Sequence, residues 1–464
     1  MKQPRQSHYD VAVIGAGFAG TLTAVQIARQ TRVPARILLV DKSGTFGRGL
    51  AYRATKEQHL LNVPVGKMGA FPENIAHFTE GFGLPDPDAF EVRTLYGDYV
   101  SELLDTTTKG TSRIDRVSAE IVDLRKQDGR FVMISSADES FEATTVVLAL
   151  GNFQPSHFVL DALGVGTGPF YIDDPLESTA LDAVAEGQDV LVVGTGLTAL
   201  DCISSLARRP TGLIHVTSRR GLLARMHVPY SVIVPPSLEL QSLNRSLDLL
   251  RCIRRTIADC AARGIDWRPV IDGLRPITQS LWMHLDLRER HRFLRHLRPF
   301  WETHRHRCAP KLLDRINGFI RTGRVRKHAG RIIGAEKRGR GLRVKIFDRR
   351  LQGEVTIDVT YVFNCTGPEC DYRRAQSRLV QNMLTRGLIA ADPTRLGLSA
   401  TADGRVLSSV GTVESNLFAI GCPLRGILYE TTAVPEIRVQ ARDLGSRCAE
   451  TIELARAVPQ VSAR

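Results

Sequence analysis

The chain has 464 residues, 43% hydrophobic and 24% charged, the balance of a globular protein with ample core rather than a disordered or fibrous one. Basic residues outnumber acidic ones by 62 to 49, a net charge of +13, but they are spread along the chain with few aromatics between them, so no nucleic-acid partner is expected. No apolar run approaches the ~18 residues of a membrane span, and the eight cysteines form no Cys-x-x-Cys pair, which disfavours a zinc ribbon or a redox dithiol.

The length predicts two or three domains. The polar start, Met1 to Asp10, leads straight into a strand without a signal-peptide pattern, so a soluble protein of the reducing cytoplasm is expected. From Asp10 the chain reads Asp-Val-Ala-Val-Ile-Gly-Ala-Gly-Phe-Ala-Gly. A short apolar strand breaks at Gly15, and Gly17 and Gly20 complete a G-x-G-x-x-G fingerprint that opens a helix. The first glycine makes the tight turn, the second lets backbone approach a pyrophosphate, and the third permits close helix–strand packing. The helix start offers free N–H groups to phosphate. A second apolar run, Ile37 to Val40, ends in Asp41, placed to accept hydrogen bonds from a ribose, with Lys42 beside it.

The glycines at 44, 47 and 49 then predict a backbone-exposing loop. Asn62, in an apolar segment from His59 to Met68, reads as a turn or backbone-bonding amide and is placed among the cofactor-facing residues. A short helix is expected over Tyr96 to Asp105. Strands are expected near 119–124, 131–135 and 145–150, the last closing at Gly151 where a backbone passes close to a ligand.

A second fingerprint follows at Asp189 to Asp201, with Gly194, Gly196 and Ala199 in the G-x-G-x-x-A form. Its next strand, Leu213 to Thr217, ends in Ser218-Arg219-Arg220-Gly221. Where the first site has an acid, this one has arginines, which pair with a 2′-phosphate that a carboxylate would repel. NADPH is therefore favoured over NADH here, with NADH still open. The two fingerprints lie too far apart to be halves of one fold, so one site is expected for a flavin dinucleotide and the other for a nicotinamide reductant.

Residues 241–322 turn helical and basic, with Leu243, Leu247, Leu250 and Ile253 at helical spacing. His304 and His306 are two apart, a poor helical metal pattern, and no metal is expected. The stretch Trp301 to Pro310 is either a polar helix face or an anion-binding wall. Strands return near 331–335, 342–347 and 355–363. Asn416 to Cys422 gives another strand ending in glycine, Gly421, and Pro435 opens a helix over 436–454.

On these residues the chain resembles two-dinucleotide flavoproteins of the flavin-dependent monooxygenase kind. It is similar in particular to a bacterial group of FAD/NAD(P)-binding proteins. The shared stretches are the opening fingerprint, Gly49-Leu-Ala-Tyr52 with His59 to Pro64, and Ser218 to Leu223; Trp301 to Pro310, Asn364 to Pro368 and Glu430 to Gln440 complete them. The resemblance implies an α/β fold of two Rossmann-like modules, the FAD module discontinuous and the NAD(P)H module inserted, with a basic helical insertion. Residues 1–155 would form the first FAD part, 186–240 the NAD(P)H module, 241–322 the insertion, 323–368 its return strands and 369–464 the last FAD part. It implies FAD as prosthetic group, NADPH or NADH as reductant, and a small-molecule substrate with O2. The flavin carries the chemistry, so no catalytic side chain is named. The best substrate expectation is urate, converted to 5-hydroxyisourate, with N-hydroxylation of an amine or amino acid, or dinucleotide binding without catalysis, as alternatives. Many such flavoproteins have Gly-Asp where this chain has Gly421-Cys422.

Overall fold

Two mixed sheets organise the protein, each built on one of the two glycine fingerprints. The structure is a computed structural model and describes residues 7–53, 59–107, 112–156, 164–166, 168–175, 177 and 179–457. The first six residues, part of the polar start, lie outside the described residues.

The first sheet is ordered β14-β15-β6-β1-β2-β3. Its strands are β1 (Ser7–Ile14), β2 (Arg36–Asp41), β3 (Arg113–Ser118), β6 (Ser140–Leu148), β14 (Arg405–Leu407) and β15 (Val413–Ala419). From β15 to β3 all neighbours run parallel. β4 (Ile121–Gln127) and β5 (Arg130–Ser135) form a hairpin attached to β6. Helix α1 (Phe18–Gln30), α2 (Arg93–Thr107) and the C-terminal α7 (Val434–Ala457) share one core with the strands, through Leu22, Ile27, Tyr96, Ile437 and Leu444. Parallel strands buried on both faces read as unbroken apolar runs. Ile37 to Val40 are accordingly almost wholly buried.

The second sheet is ordered β12-β11-β10-β9-β8-β13-β7. Its parallel half comprises β7 (Tyr171–Ile172), β8 (Val190–Val193), β9 (Ile214–Ser218) and β13 (Tyr361–Asn364). Helix α3 (Leu197–Leu206) follows β8. β10 (Val325–Arg338) runs parallel to β9 up to Ala329. From Gly330, where an added Cβ would sit 2.1 Å from the Phe347 carbonyl oxygen, it changes partner and forms an antiparallel meander with β11 (Gly341–Asp348) and β12 (Gly353–Val359), with a register shift between Ile332 and Gly334. The meander packs Val344, Ile346 and Ile357 against Leu191 and Val362 of the parallel strands.

Three expectations need correction. The apolar run 355–363 is not one strand: it breaks at Thr360 into the meander's edge and the parallel β13, whose Tyr361 pairs with Val190. The second sheet already has a strand at Tyr171–Ile172, upstream of residue 186, because a two-residue strand leaves no periodic signal. In the insertion, between β9 and β10, helix α4 (Ser246–Ala261) buries Leu249, Cys252 and Cys260, while Leu247 is 45% exposed. Of the predicted stripe, Leu243, Ile253 and Ile257 do pack against the core that holds Trp282 and Leu285, and it is Leu247 that falls outside it.

The insertion also contains α5 (Arg298–Arg305) and α6 (Pro310–Arg321), and its core reaches Tyr429 and Leu396 of the last part of the chain. Arg93, at the start of α2, donates from Nη2 to Oδ2 of Asp201 in α3 at 2.7 Å and from Nε to the Leu60 carbonyl. This ion pair, 15% and 1% exposed, joins the two modules. No helix among the described residues is long and apolar enough to cross a membrane.

Candidate dinucleotide cradles and the buried charged cluster between them

The two fingerprints share the same first turn. Gly15 has φ +103°, and a Cβ there would lie 2.3 Å from the Ala149 carbonyl oxygen at the end of β6. Gly194 has φ +119°, and its Cβ would lie 2.0 Å from the Cys365 carbonyl oxygen at the end of β13. Only glycine suits a turn that is left-handed and pressed against a neighbouring strand. Gly15 N donates to Val40 O and Gly194 N to Thr217 O, both at 2.8 Å. Gly17 and Gly196 are the N-caps of α1 and α3, and no side chain caps the first helical N–H groups. Gly20 would place a Cβ 1.8 Å from Gly15 O, whereas Ala199 is accommodated fully buried.

Beside the first cradle, Asp41 accepts from Ala16 N through Oδ2 (2.8 Å) and from Ser43 N and Oγ through Oδ1 (2.8 and 2.7 Å). Each carboxylate oxygen keeps acceptor capacity for a ribose hydroxyl. Lys42 is exposed next to it. The loop after β2 returns over the fingerprint, so that a Cβ on Gly49 would meet Gly17 Cα at 2.8 Å. Gly151 follows β6 at φ +64° with open space around it, and Gly421 follows β15 at φ +73°. Gly421 N donates to Gln440 Oε1, and Gln440 Nε2 in turn reaches Thr431 Oγ1. Gly15, Asp41, Gly151 and Gly421 thus gather at the carboxyl end of one parallel sheet, the place where open α/β sheets bind ligands. A glycine-only surface with an adjacent partly exposed acid fits the ADP half of FAD. Cys422, in the position of the usual aspartate, opens a short 3-10 turn instead.

At the second cradle Ser218 stands where Asp41 stands in the first, accepting from Thr195 Oγ1 (2.9 Å) and Gly221 N (3.0 Å). The two arginines separate here. Arg219 is exposed at the strand end, whereas Arg220 lies over the Phe300 ring, 4.8 Å from its centroid. Asn62 is held through its backbone. Its carbonyl oxygen accepts from Nε2 of His227 at 2.9 Å, and its side chain is half-buried. Burial and the nearby Arg307 push His227 down to about 4, so it is neutral and donates.

Sequence reasoning missed the charged cluster that fills the space between the insertion and the start of α7. His306 lies between two carboxylates, with Nδ1 2.7 Å from Glu302 Oε2 and Nε2 3.4 Å from Glu430 Oε2. Burial alone would lower its pKa, but Glu430 and Glu302 outweigh that and hold it at about 9. Burial works against ionised Glu302 as well, and the His306 bond brings it down to about 2. Glu302 also takes Arg425 (3.0 Å) and Tyr429 OH (3.3 Å), and Glu430 takes Trp301 Nε1 (2.7 Å). Glu436, in the first turn of α7, pairs with Arg275 through both oxygens at 2.6 and 2.8 Å. Tyr429 is held at φ +58° and stacks on Trp282, a strained conformation that aims Glu430 into the cluster. The signal available in the sequence was the Glu302–His306 spacing of four. Glu430 lies too far along the chain to be paired with them by inspection.

Residues 12–153 match the family described as FAD-NAD(P)-binding. No curated protein sequence matches the chain significantly. Among solved structures, L-lysine 6-monooxygenase from Pseudomonas syringae is 17% identical with a TM-score of 0.67, over 96% of this chain and 100% of that one. A cadaverine monooxygenase of desferrioxamine biosynthesis from Erwinia amylovora, solved with FAD, is 13% identical with a TM-score of 0.64, over 96% and 95%. An ornithine N-hydroxylase from Kutzneria sp. 744, solved with reduced FAD, NADP+ and L-ornithine, is 13% identical with a TM-score of 0.62, over 97% and 100%. At these identities the likeness establishes a shared fold. The α/β architecture of two Rossmann-like modules, one inserted in the other, is that of these flavoproteins.

Proposed function

We propose that this chain is an FAD-dependent, NADPH-consuming monooxygenase that hydroxylates the amino nitrogen of a small amine or amino acid. The observation that carries the reading is the pair of cradles, one ending in an acid and one in a free arginine, in a fold that corresponds along its whole length to amine monooxygenases. The urate expectation draws no support from those proteins, whose names specify lysine, cadaverine and ornithine, so the amine reading is placed ahead of it.

Bound FAD supplies the redox chemistry, taking hydride from NADPH and activating O2. The rest falls to the chain's own residues. Gly15, Gly17 and Gly20 present backbone to the FAD pyrophosphate, Asp41 takes the ribose hydroxyls, and Arg219 takes the NADPH 2′-phosphate. Overall, one N–O bond forms, NADPH gives two electrons, and the second oxygen atom leaves as water. An alkylammonium with a pKa of about 10.4 must lose its proton before its nitrogen can attack.

The test is to purify the protein, record its visible spectrum, and follow NADPH oxidation with L-lysine, L-ornithine, cadaverine and urate while assaying hydroxylamine. A flavin spectrum with hydroxylamine formed in proportion to NADPH supports the reading. Stimulation by urate alone, or NADPH oxidation yielding only hydrogen peroxide with every amine, rejects it.

A further inference from the structure

From Leu287 the chain runs as one helical rod to the end of α5, through a helical stretch Leu287–Arg292 and a π-helical turn Phe293–Leu297. Arg288, His291, Arg292, Arg295 and His296 recur on it at intervals of three and four residues, so they share one face. All five are exposed, and with Leu287 they line an open groove of about 610 Å³. The acids of this stretch leave the face largely uncompensated. Asp286 caps the helix start by accepting from Glu289 N. Glu289, 6% exposed, is turned to Ser246 N and Oγ and also takes Arg292. Among the described residues, no carboxylate pairs with Arg288 or Arg295. Like charges one turn apart on a helix are destabilising. A stripe of three arginines of which only Arg292 is paired is therefore not there to hold the fold.

The stripe leads to the second cradle. Phe300, 43% exposed, stands one turn beyond His296, and Arg220 lies over its ring. The chain after Arg220 stays against the same rod: Arg225 N donates to the Thr303 carbonyl and Cys308 N to the Arg225 carbonyl, both at 2.9 Å. Arg288 to Phe300 covers about 18 Å at the helical rise of about 1.5 Å per residue. Successive cations are about 5.4 Å apart along the axis, one turn, which is inside the screening length of about 8 Å in physiological salt. Their potential therefore joins that of Arg220 and the exposed Arg219 instead of fading between them.

We propose that this stripe is an electrostatic track that gathers the phosphates of NADPH and passes the dinucleotide to the second cradle. The inference rests on the NADPH reading of that cradle and adds to it residues that act before binding is complete. Cations lining a cleft raise the on-rate of an anion by about 10 to 10³. Charges at the rim of a site act on association and its salt dependence, whereas those that hold the bound ligand act on dissociation. On this division Arg219 belongs to the seat, and Arg288, Arg292 and Arg295 to the approach. NADPH carries a 2′-phosphate that NADH lacks and feels the track more strongly.

The experiment is stopped-flow mixing of the FAD-loaded protein with NADP+ and with NAD+, which leave the flavin oxidised. Tryptophan fluorescence gives the association rate from its concentration dependence and the dissociation rate on dilution. Salt is raised from about 0.01 to about 1 M, over which the screening length falls from about 30 to about 3 Å. Wild-type association with NADP+ should fall by about ten-fold or more across that range, more steeply than with NAD+. Arg288→Gln/Arg295→Gln should slow NADP+ association by about ten-fold at low salt, with dissociation and Tm unchanged and the difference gone at high salt. Arg288→Gln alone should show the same trend at smaller size. Wild-type association that ignores salt overturns the track, as does an unchanged association rate in the variants. Faster dissociation with unchanged association overturns it by placing these arginines in the seat, and a lowered Tm with unchanged association overturns it by making the stripe structural. Failure of the cofactor reading shows separately, as wild-type protein that binds no NADP+ at any salt.

Discussion

The backbone N–H of Ala16 donates to Oδ2 of Asp41 at 2.8 Å, tying the glycine turn to the acid at the end of the next strand. The carboxylate fixes the turn, and under the proposed function it also takes the ribose of FAD. Asp41→Ala should weaken FAD binding by about 1–3 kcal/mol, the range for a truncated charged hydrogen bond. Titration of the apoprotein with FAD measures it, and wild-type affinity in the variant would reject the assignment.

The glycines of the second cradle separate folding from binding. Gly194→Ala puts a Cβ against the Cys365 carbonyl at a left-handed position and should destabilise the protein by about 1–3 kcal/mol or more. Gly196 has nothing within 4 Å of its added Cβ and an ordinary extended conformation. Gly196→Ala should keep the wild-type Tm and raise KM for NADPH. Thermal melts and steady-state kinetics on both variants distinguish the two, and a Tm loss in Gly196→Ala would contradict the geometry.

Arg219 and Arg220 are neighbours in different surroundings. Arg219→Ala should lower kcat/KM for NADPH by about 1–3 kcal/mol while sparing NADH. Arg220→Ala should cost roughly 0.5–1 kcal/mol of stability through its contact with Phe300, with the ratio of the two cofactors little changed. Equal losses with NADPH and NADH for Arg219→Ala would remove 2′-phosphate recognition from that residue.

The fingerprints were legible because everything they need is local. A strand, three small residues and an acid at the next strand end fix Gly15, Gly17, Gly20 and Asp41 by spacing alone. Arg219 and Arg220 were read as a pair, and only the tertiary position of Phe300 separates them. The cluster around His306 was illegible for the opposite reason: Glu430 and Glu436 join Glu302 and Arg305 only after the insertion folds back on the start of α7. The stripe in the insertion was legible at Leu243, Ile253 and Ile257, which meet the core, and missed at Leu247, because several phases of an apolar helix are possible until Trp282 and Leu285 select one.

His306 makes stability depend on alkaline pH. Its pKa is raised from 6.5 to about 9 in the folded protein, so its contribution is complete below about 6.5 and disappears as pH rises through 9. On the order of 3 kcal/mol should be lost across that window. His306→Gln should show a flatter dependence there. Glu302, lowered from 4.5 to about 2, acts in a separate acid window: its contribution is present above 4.5 and is lost as pH falls towards 2. Chemical denaturation from pH 6 to 10 tests the histidine, and parallel curves for the two proteins would contradict it.

The Arg93–Asp201 pair sets how the two modules work together. Burial raises Asp201 to about 6 even with Arg93 pulling the other way, so the pair is ionised at neutral pH and fully committed. Separating the two modules requires breaking this buried contact, so the spacing between the two cradles is tied to one ion pair.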